Sequence, residues 1–182
     1  MSDIISKLPS LLIEAAQAEL HATGQVPRPQ VHMFAQEQEK PYIGFITCRR
    51  FYRGQDATVA IGDLGIMPSV MKLTRLMILW EACDLSLAME QGSGPMALML
   101  VDATLSRHNL YRYPFNPVPT GRTNKGIASI RLDWETPQQF ADTRLPDPVT
   151  RLLRTWRELR DGDIRDTWIA LEQSGYELDF VS

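Results

Sequence analysis

The sequence lacks any long apolar run, and this absence excludes one class of protein at the outset. A membrane-spanning helix needs about 18 or more consecutive apolar residues, and the apolar stretches of this chain are far shorter. The chain also starts without the basic segment and apolar segment of a secretory signal. We therefore expect a soluble, cytoplasmic protein with no membrane partner.

Cysteine and histidine are scarce. The two cysteines, Cys48 and Cys83, do not form a Cys-x-x-Cys pair, and no two of the three histidines have the spacing of metal ligands. A zinc site or a disulfide framework needs such spacing, so neither is expected. We predict that both cysteines are reduced core residues.

Common catalytic and nucleotide-binding motifs are also missing. The sequence has no Gly-x-Gly-x-x-Gly, no P-loop and no Gly-x-Ser-x-Gly elbow, which are the local signals for dinucleotide binding, phosphate binding and serine catalysis. Nor does it have excess positive charge, because 19 Lys and Arg oppose 22 Asp and Glu, for a formal charge of −3. We therefore expect neither a nucleic-acid partner nor a cofactor.

What the sequence does contain is the pattern of one α/β domain. Its 182 residues, 44% hydrophobic and 23% charged, fit a single folded unit. Two apolar runs, residues 75–80 and 95–101, are typical of strands buried on both faces, and we place them at the centre of a sheet. Helical patterns between the strands predict crossovers, so we expect parallel neighbours.

We therefore predict a single α/β domain with a mixed sheet of about six strands, flanked by helices and followed by a C-terminal helical pair. Residues 1–30 are the N-terminal helix and connector, residues 31–134 the sheet core, and residues 147–175 the helical pair. Gly44 lies inside a predicted strand, which indicates a bulge or the close approach of another backbone or a ligand.

Acidic residues follow both central strands. If these strands are parallel neighbours, Glu81, Asp84 and Asp102 lie on one rim of the sheet, where open α/β sheets bind ligands. Carboxylate oxygens suit Mg²⁺ or Mn²⁺, and such a metal would activate water for hydrolysis, assisted by His108. The competing interpretation is structural, with Asp84 capping a helix, Glu81 pairing with an arginine and Asp102 ending a strand.

Arginine and tryptophan residues indicate a second kind of site. Both residue types are favoured at protein–protein interfaces. The candidates for an interaction surface are Arg49, Arg50, Arg53, Arg112, Trp156 and Arg157. The arginines at 49–53, together with the loop at Gly121, also support the hypothesis of an anion site.

These observations give three functional hypotheses. The leading one is a non-catalytic cytoplasmic protein-interaction or regulatory module, with a protein partner or self-association. The alternative is a hydrolase or nuclease that depends on Mg²⁺ or Mn²⁺ and uses the acids after the central strands. The third is a sensor of a small anionic ligand.

Overall fold

The computed structural model describes residues 2–38, 40–122, 124–126 and 128–181. The elements in chain order are α1 (Ser2–Thr23), β1 (Gln30–Phe34), β2 (Tyr42–Thr47), α2 (Gln55–Asp63), α3 (Ile66–Val70), β3 (Arg75–Glu81), α4 (Ala82–Ala88), β4 (Ala97–Thr104), β5 (His108–Arg122), β6 (Ala128–Trp134), β7 (Gln138–Ala141), α5 (Asp147–Arg157), α6 (Ile164–Gln173) and β8 (Glu177–Phe180).

The strands form one eight-stranded sheet in the order β6-β5-β4-β3-β1-β2-β8, and β7 also pairs with β5. The predicted α/β fold with flanking helices and a C-terminal helical pair is confirmed. The two apolar runs form β3 and β4, at the centre of the sheet as expected.

The direction of the strands differs from the prediction. Every pairing in the described part of the chain is antiparallel. Strands β2 and β3 do run in the same direction, but β1 lies between them and pairs with both. The helix α4 has only 7 residues, which is too short for a crossover, so it turns the chain and β4 returns antiparallel beside β3.

Helices cover both faces of the sheet unequally. On one face, α2, α3, α5 and α6 bury the larger cluster, in which Trp80 and Trp156 are among the largest side chains. On the other face, α1 packs alone, and its Ile13, Ala16 and Leu20 lie against Leu79, Leu98, Leu100 and Phe115 among others. Within the described residues a single helix therefore covers the second face, and the margins of that face remain partly open.

Gly44 lies where the edge strand β8 approaches β2. The register of β1 and β2 shifts beside it, between Met33 and Phe34, and Gly44 has a φ of 145°. A Cβ at this position would collide with the backbone carbonyl oxygen of Asp179 in β8. Both predicted roles of this glycine, a bulge and the close approach of another backbone, are therefore confirmed.

Both cysteines are free and buried, as predicted. Burial raises the pKa of the Cys48 thiol to about 12, so this thiol stays protonated and unreactive at neutral pH. Among the described residues, no helix combines the length and the apolar character required to span a membrane.

Candidate functional site

The strand-end acids do not converge. In the antiparallel register of β3 and β4, Glu81 lies opposite Leu98, whereas Asp102 lies opposite Met77. Four residues of β4 therefore separate the two acids, about 13 Å at the rise of a strand. The prediction that these acids share one rim of the sheet was wrong, because it required β3 and β4 to be parallel.

Asp102 is bound by an arginine. The guanidinium of Arg75 donates to both of its carboxylate oxygens, with Nε–Oδ1 and Nη2–Oδ2 distances of 2.8 and 2.6 Å. This two-bond arrangement is the strongest form of the Arg–carboxylate pair. Asp102 therefore serves the structure of the sheet in this conformation.

Glu81 is buried and holds backbone amides. Its Oε1 accepts from the amides of Cys83 and Ala97 at 3.1 and 2.9 Å, and its Oε2 accepts from the amide of Asp84 at 2.6 Å. It therefore caps α4 and ties this helix to the start of β4. The cap is Glu81 rather than Asp84, whose side chain is exposed.

His108 lies at the opposite end of the sheet from Glu81, at the start of β5. Its Nε2 is 2.7 Å from the carbonyl oxygen of Thr143. Within residues 2–38, 40–122, 124–126 and 128–181, no three His, Cys, Asp or Glu side chains are grouped so that they could hold a metal ion. The geometry thus keeps Glu81 and Asp84 together at one end of the sheet and places Asp102 and His108 near the other end, so the four residues do not form one catalytic group.

The six residues predicted to form an interaction surface differ in burial and in partners. The prediction was wrong for Trp156. Its side chain is fully buried, and its indole N–H donates to the carbonyl of Leu73 at 2.9 Å. Arg49 binds Asp56 at 2.7 Å, and Arg112 binds the Gln138 side chain at 2.9 Å. Arg50 and Arg53 are exposed, and Arg157 is held by backbone carbonyls.

The structure instead contains an apolar cleft that the sequence did not reveal. It lies between the C-terminal end of α1, the helix α4 and the distal part of the β5–β6 hairpin, and its volume is about 390 Å³. This volume is within the range of about 300–1,000 Å³ that ligand-binding pockets occupy. The lining side chains are Leu20, His21, Val26, Glu81, Cys83, Asp84, Leu87, Met96, Phe115, Pro117, Ile130 and Leu132.

The distal hairpin supplies one wall of this cleft. Residues 116–122 of β5 pair with β6 and with no other strand of the described chain, so they form a two-stranded arm that extends beyond the sheet. One face of this arm carries every second residue of β5, namely Phe115, Pro117 and Pro119. Their β6 partners on the same face are Trp134, Leu132 and Ile130. The helix α1 reaches only the base of the arm, where the Trp134 indole N–H donates to Nε2 of His21 at 3.3 Å.

Large apolar side chains therefore surround the mouth of the cleft and are exposed to solvent. Their exposed fractions are 58% for Ile130, 40% for Met96, 39% for Val26 and 36% for Leu87. The alternating sequence of β6 predicts one buried face, and the sequence signal was correct for Leu132 and Trp134, which pack against the α1 cluster. The same pattern wrongly predicted that Ile130 is buried, because α1 ends before it can cover that residue.

The free edge of the arm carries two prolines. The amide of Phe115 donates to the carbonyl of Met96 at 3.1 Å, so it points to the side of β5 on which β4 lies. Amides two residues apart in a strand point to the same side, and the nitrogens of Pro117 and Pro119 therefore face this edge beyond the end of β4. Because proline has no N–H, the edge offers few donors to an added strand.

The charged side chains of the cleft are acidic. Asp84 is exposed at its wall, and the carboxylate of Glu81 lies buried beneath it. Among the described residues, no salt bridge neutralises Asp84. The cleft thus combines an apolar mouth with a free negative charge.

The fold and the cleft define the class of the protein, an antiparallel α/β domain with an open apolar site at one end of its sheet. Comparisons with protein-family models, with curated proteins and with solved structures give no match.

Proposed function

We propose that the protein is a non-catalytic interaction module that binds an amphipathic segment of a partner protein in the apolar cleft. The observation that carries this proposal is the convergence of Val26, Leu87, Met96 and Ile130, all at least one-third exposed, around one cavity. Single exposed apolar side chains are ordinary on protein surfaces, whereas a contiguous group around a concave site indicates an interaction site.

The shape of the site supports recognition through side chains. An added β-strand would need backbone donors along the free edge of the arm, and Pro117 and Pro119 remove donors from that edge. A helix that inserts apolar side chains into the cleft needs no such donors. We therefore propose an amphipathic helix as the occupant, in the manner of other helix-in-groove complexes.

The charge of the site indicates the polar part of the partner. Asp84 is the exposed carboxylate beside the apolar mouth. A lysine or arginine of the bound segment, placed next to its apolar face, would pair with Asp84 and fix the orientation of the segment. Charge complementarity of this kind contributes mainly to specificity and association rate.

The proposal is tested with a displayed library of random peptides selected against the intact protein. We expect enrichment of peptides with apolar residues at helical spacing and one basic residue. Binding of the enriched peptides should weaken at least about tenfold in Ile130→Glu, because a buried charge opposes the apolar contact. A smaller loss, mainly for peptides with the basic residue, is expected in Asp84→Asn.

A matched control is Ile169→Glu. Ile169 is also an exposed isoleucine, but it lies on α6, against the other face of the sheet. Peptides that bind Ile130→Glu as well as they bind Ile169→Glu would contradict the proposal. So would light scattering that shows a dimer abolished by Ile130→Glu, because the occupant would then be a second copy of the chain.

A further inference from the structure

A second concave site lies at the other end of the sheet, on the face that α5 covers. It is a groove of about 620 Å³ between α5, the loop that precedes it and the start of β5. Seven residues of β5, about 23 Å, separate His108 in this groove from Phe115 in the apolar cleft. The two sites are therefore independent.

Three arginines face this groove, and we name it the arginine groove after Arg144, Arg154 and Arg157. Its acidic residue, Glu158, is already paired with Arg160. The nearby carboxylate of Asp142 is shared, because its Oδ1 accepts from the amide of His108 at 2.9 Å and its Oδ2 lies 3.7 Å from Arg107. The groove thus has a local positive surplus on a chain whose net charge is −3.

Arg157 is held in place before any ligand arrives. Its guanidinium donates from Nη2 to the carbonyl oxygens of Thr104 and Arg107, at 2.9 and 3.1 Å. These carbonyls orient the side chain but carry no full charge. Partial burial lowers the pKa of Arg157, and the charge of Asp142 opposes this effect only in part. An anion in the groove would supply the missing charge.

Arg154 adds a second positive charge beside Arg157. Arg154 and Arg157 are three residues apart on α5, a spacing that places two side chains on the same helix face. Like charges on one face of a helix repel each other. Arg154 is exposed, and within the described chain it has no salt-bridge partner. A bound dianion would attract both guanidinium groups and so offset their mutual repulsion.

We infer that the arginine groove binds the phosphate group of a small organic phosphate. Guanidinium groups match the geometry of phosphate oxygens and bind them through paired hydrogen bonds. The apolar side chains of Leu145 and Leu153 also line the groove, and they would contact the organic part of the ligand. The volume is that of a small-molecule site.

The inference is tested by thermal shift and calorimetry on the full chain, at constant ionic strength. The probes are phenyl phosphate, inorganic phosphate and a short single-stranded oligonucleotide. We expect saturable binding of phenyl phosphate, several-fold tighter than that of inorganic phosphate. The substitutions Arg154→Gln and Arg144→Gln should each weaken this binding by about tenfold, the usual size of a lost charge-assisted contact.

The control for a general charge effect is Arg165→Gln, which removes one exposed arginine from α6, outside the groove. Equal weakening by Arg154→Gln and Arg165→Gln would overturn the inference, as would a lack of phenyl phosphate binding at millimolar concentration. Equal affinity for inorganic phosphate and phenyl phosphate would overturn the assignment to an organic phosphate. Tighter binding of the oligonucleotide through the same arginines would overturn the assignment to a small molecule.

Discussion

Arg75 and Asp102 form a two-bond ion pair between β3 and β4, with N–O distances of 2.8 and 2.6 Å. Both side chains are largely shielded from water, with exposed fractions of 12% and 14%. The pair lies on the face that α1 covers, at the end of the sheet opposite Glu81. The charge of Asp102 therefore serves to neutralise that of Arg75.

Removal of one partner of this pair should be costly. We expect Asp102→Leu to lower the free energy of unfolding by about 3 kcal/mol, because Arg75 would keep its charge in a poorly hydrated place. The double variant Arg75→Met with Asp102→Leu should recover most of this loss, since no buried charge remains. Urea denaturation measures both, and an unchanged midpoint in Asp102→Leu would contradict the role assigned to the pair.

Glu81 and Asp84 should respond differently to the same change. Glu81→Gln replaces one of two accepting oxygens by an NH₂ group that faces backbone amides, so we expect a loss of about 2 kcal/mol in stability. Asp84→Asn alters an exposed side chain and should change stability by less than about 0.5 kcal/mol. Chemical denaturation of the two variants gives the comparison. Equal losses in both would mean that the cap on α4 contributes little.

His32 should make the fold sensitive to acid. Burial lowers its pKa to about 4, from a usual value of 6.5, so below pH 6.5 the unfolded chain takes up a proton that the folded chain does not. The contribution of His32 to stability is complete above pH 6.5 and is lost as the pH falls towards 4. The total loss is about 3 kcal/mol.

The measurement is urea denaturation at several pH values for the wild type and His32→Phe. The phenyl ring fits beside Phe45 and Tyr42, which stack against His32, and it cannot be protonated. The hydroxyl of Tyr42, 3.1 Å from Nδ1 of His32, has a pKa raised to about 12, mainly by burial, so it stays neutral in this range. The variant should lose stability less steeply between pH 6.5 and 4, and parallel curves would refute the prediction.

Gly44→Ala should loosen β8. The added Cβ would meet the carbonyl oxygen of Asp179, and the φ of 145° is unfavourable for alanine. We expect a loss of about 1–3 kcal/mol and faster hydrogen exchange at the amide of Val181, which donates to Ile43 at 3.0 Å. The control is Gly92→Ala, where φ is also positive but no atom lies within 4 Å of the new Cβ. Unchanged exchange in Gly44→Ala would show that β8 adjusts freely.

Local sequence patterns predicted the local structure well. The apolar runs of β3 and β4, the alternation of β6 and the special role of Gly44 each depend on residues close together in the chain. Periodicity and glycine conformation carry that information. The order and direction of the strands depend instead on how long each connection is and where it returns. The short helix α4 was the clue that β4 would run antiparallel to β3.

The partners of charged residues were harder to predict. Many arginines were available for each acid, and the sequence does not say that Arg75, 27 positions before Asp102, is the one that binds it. Trp156 illustrates a related limit. Tryptophan is favoured both in cores and at interfaces, and only the packed structure shows that α5 turns this residue inward. The apolar cleft depends on where α1 ends relative to the arm, which no local pattern encodes.

The position of β8 has a consequence for the order of folding events. This strand pairs with β2, yet five strands, β3 to β7, and both C-terminal helices lie between them in the chain. Closing so long a loop costs entropy before any pairing is gained, so such contacts form slowly. We expect β2 to remain an unpaired edge until late in folding. During that interval the chain is most exposed to association with its own copies.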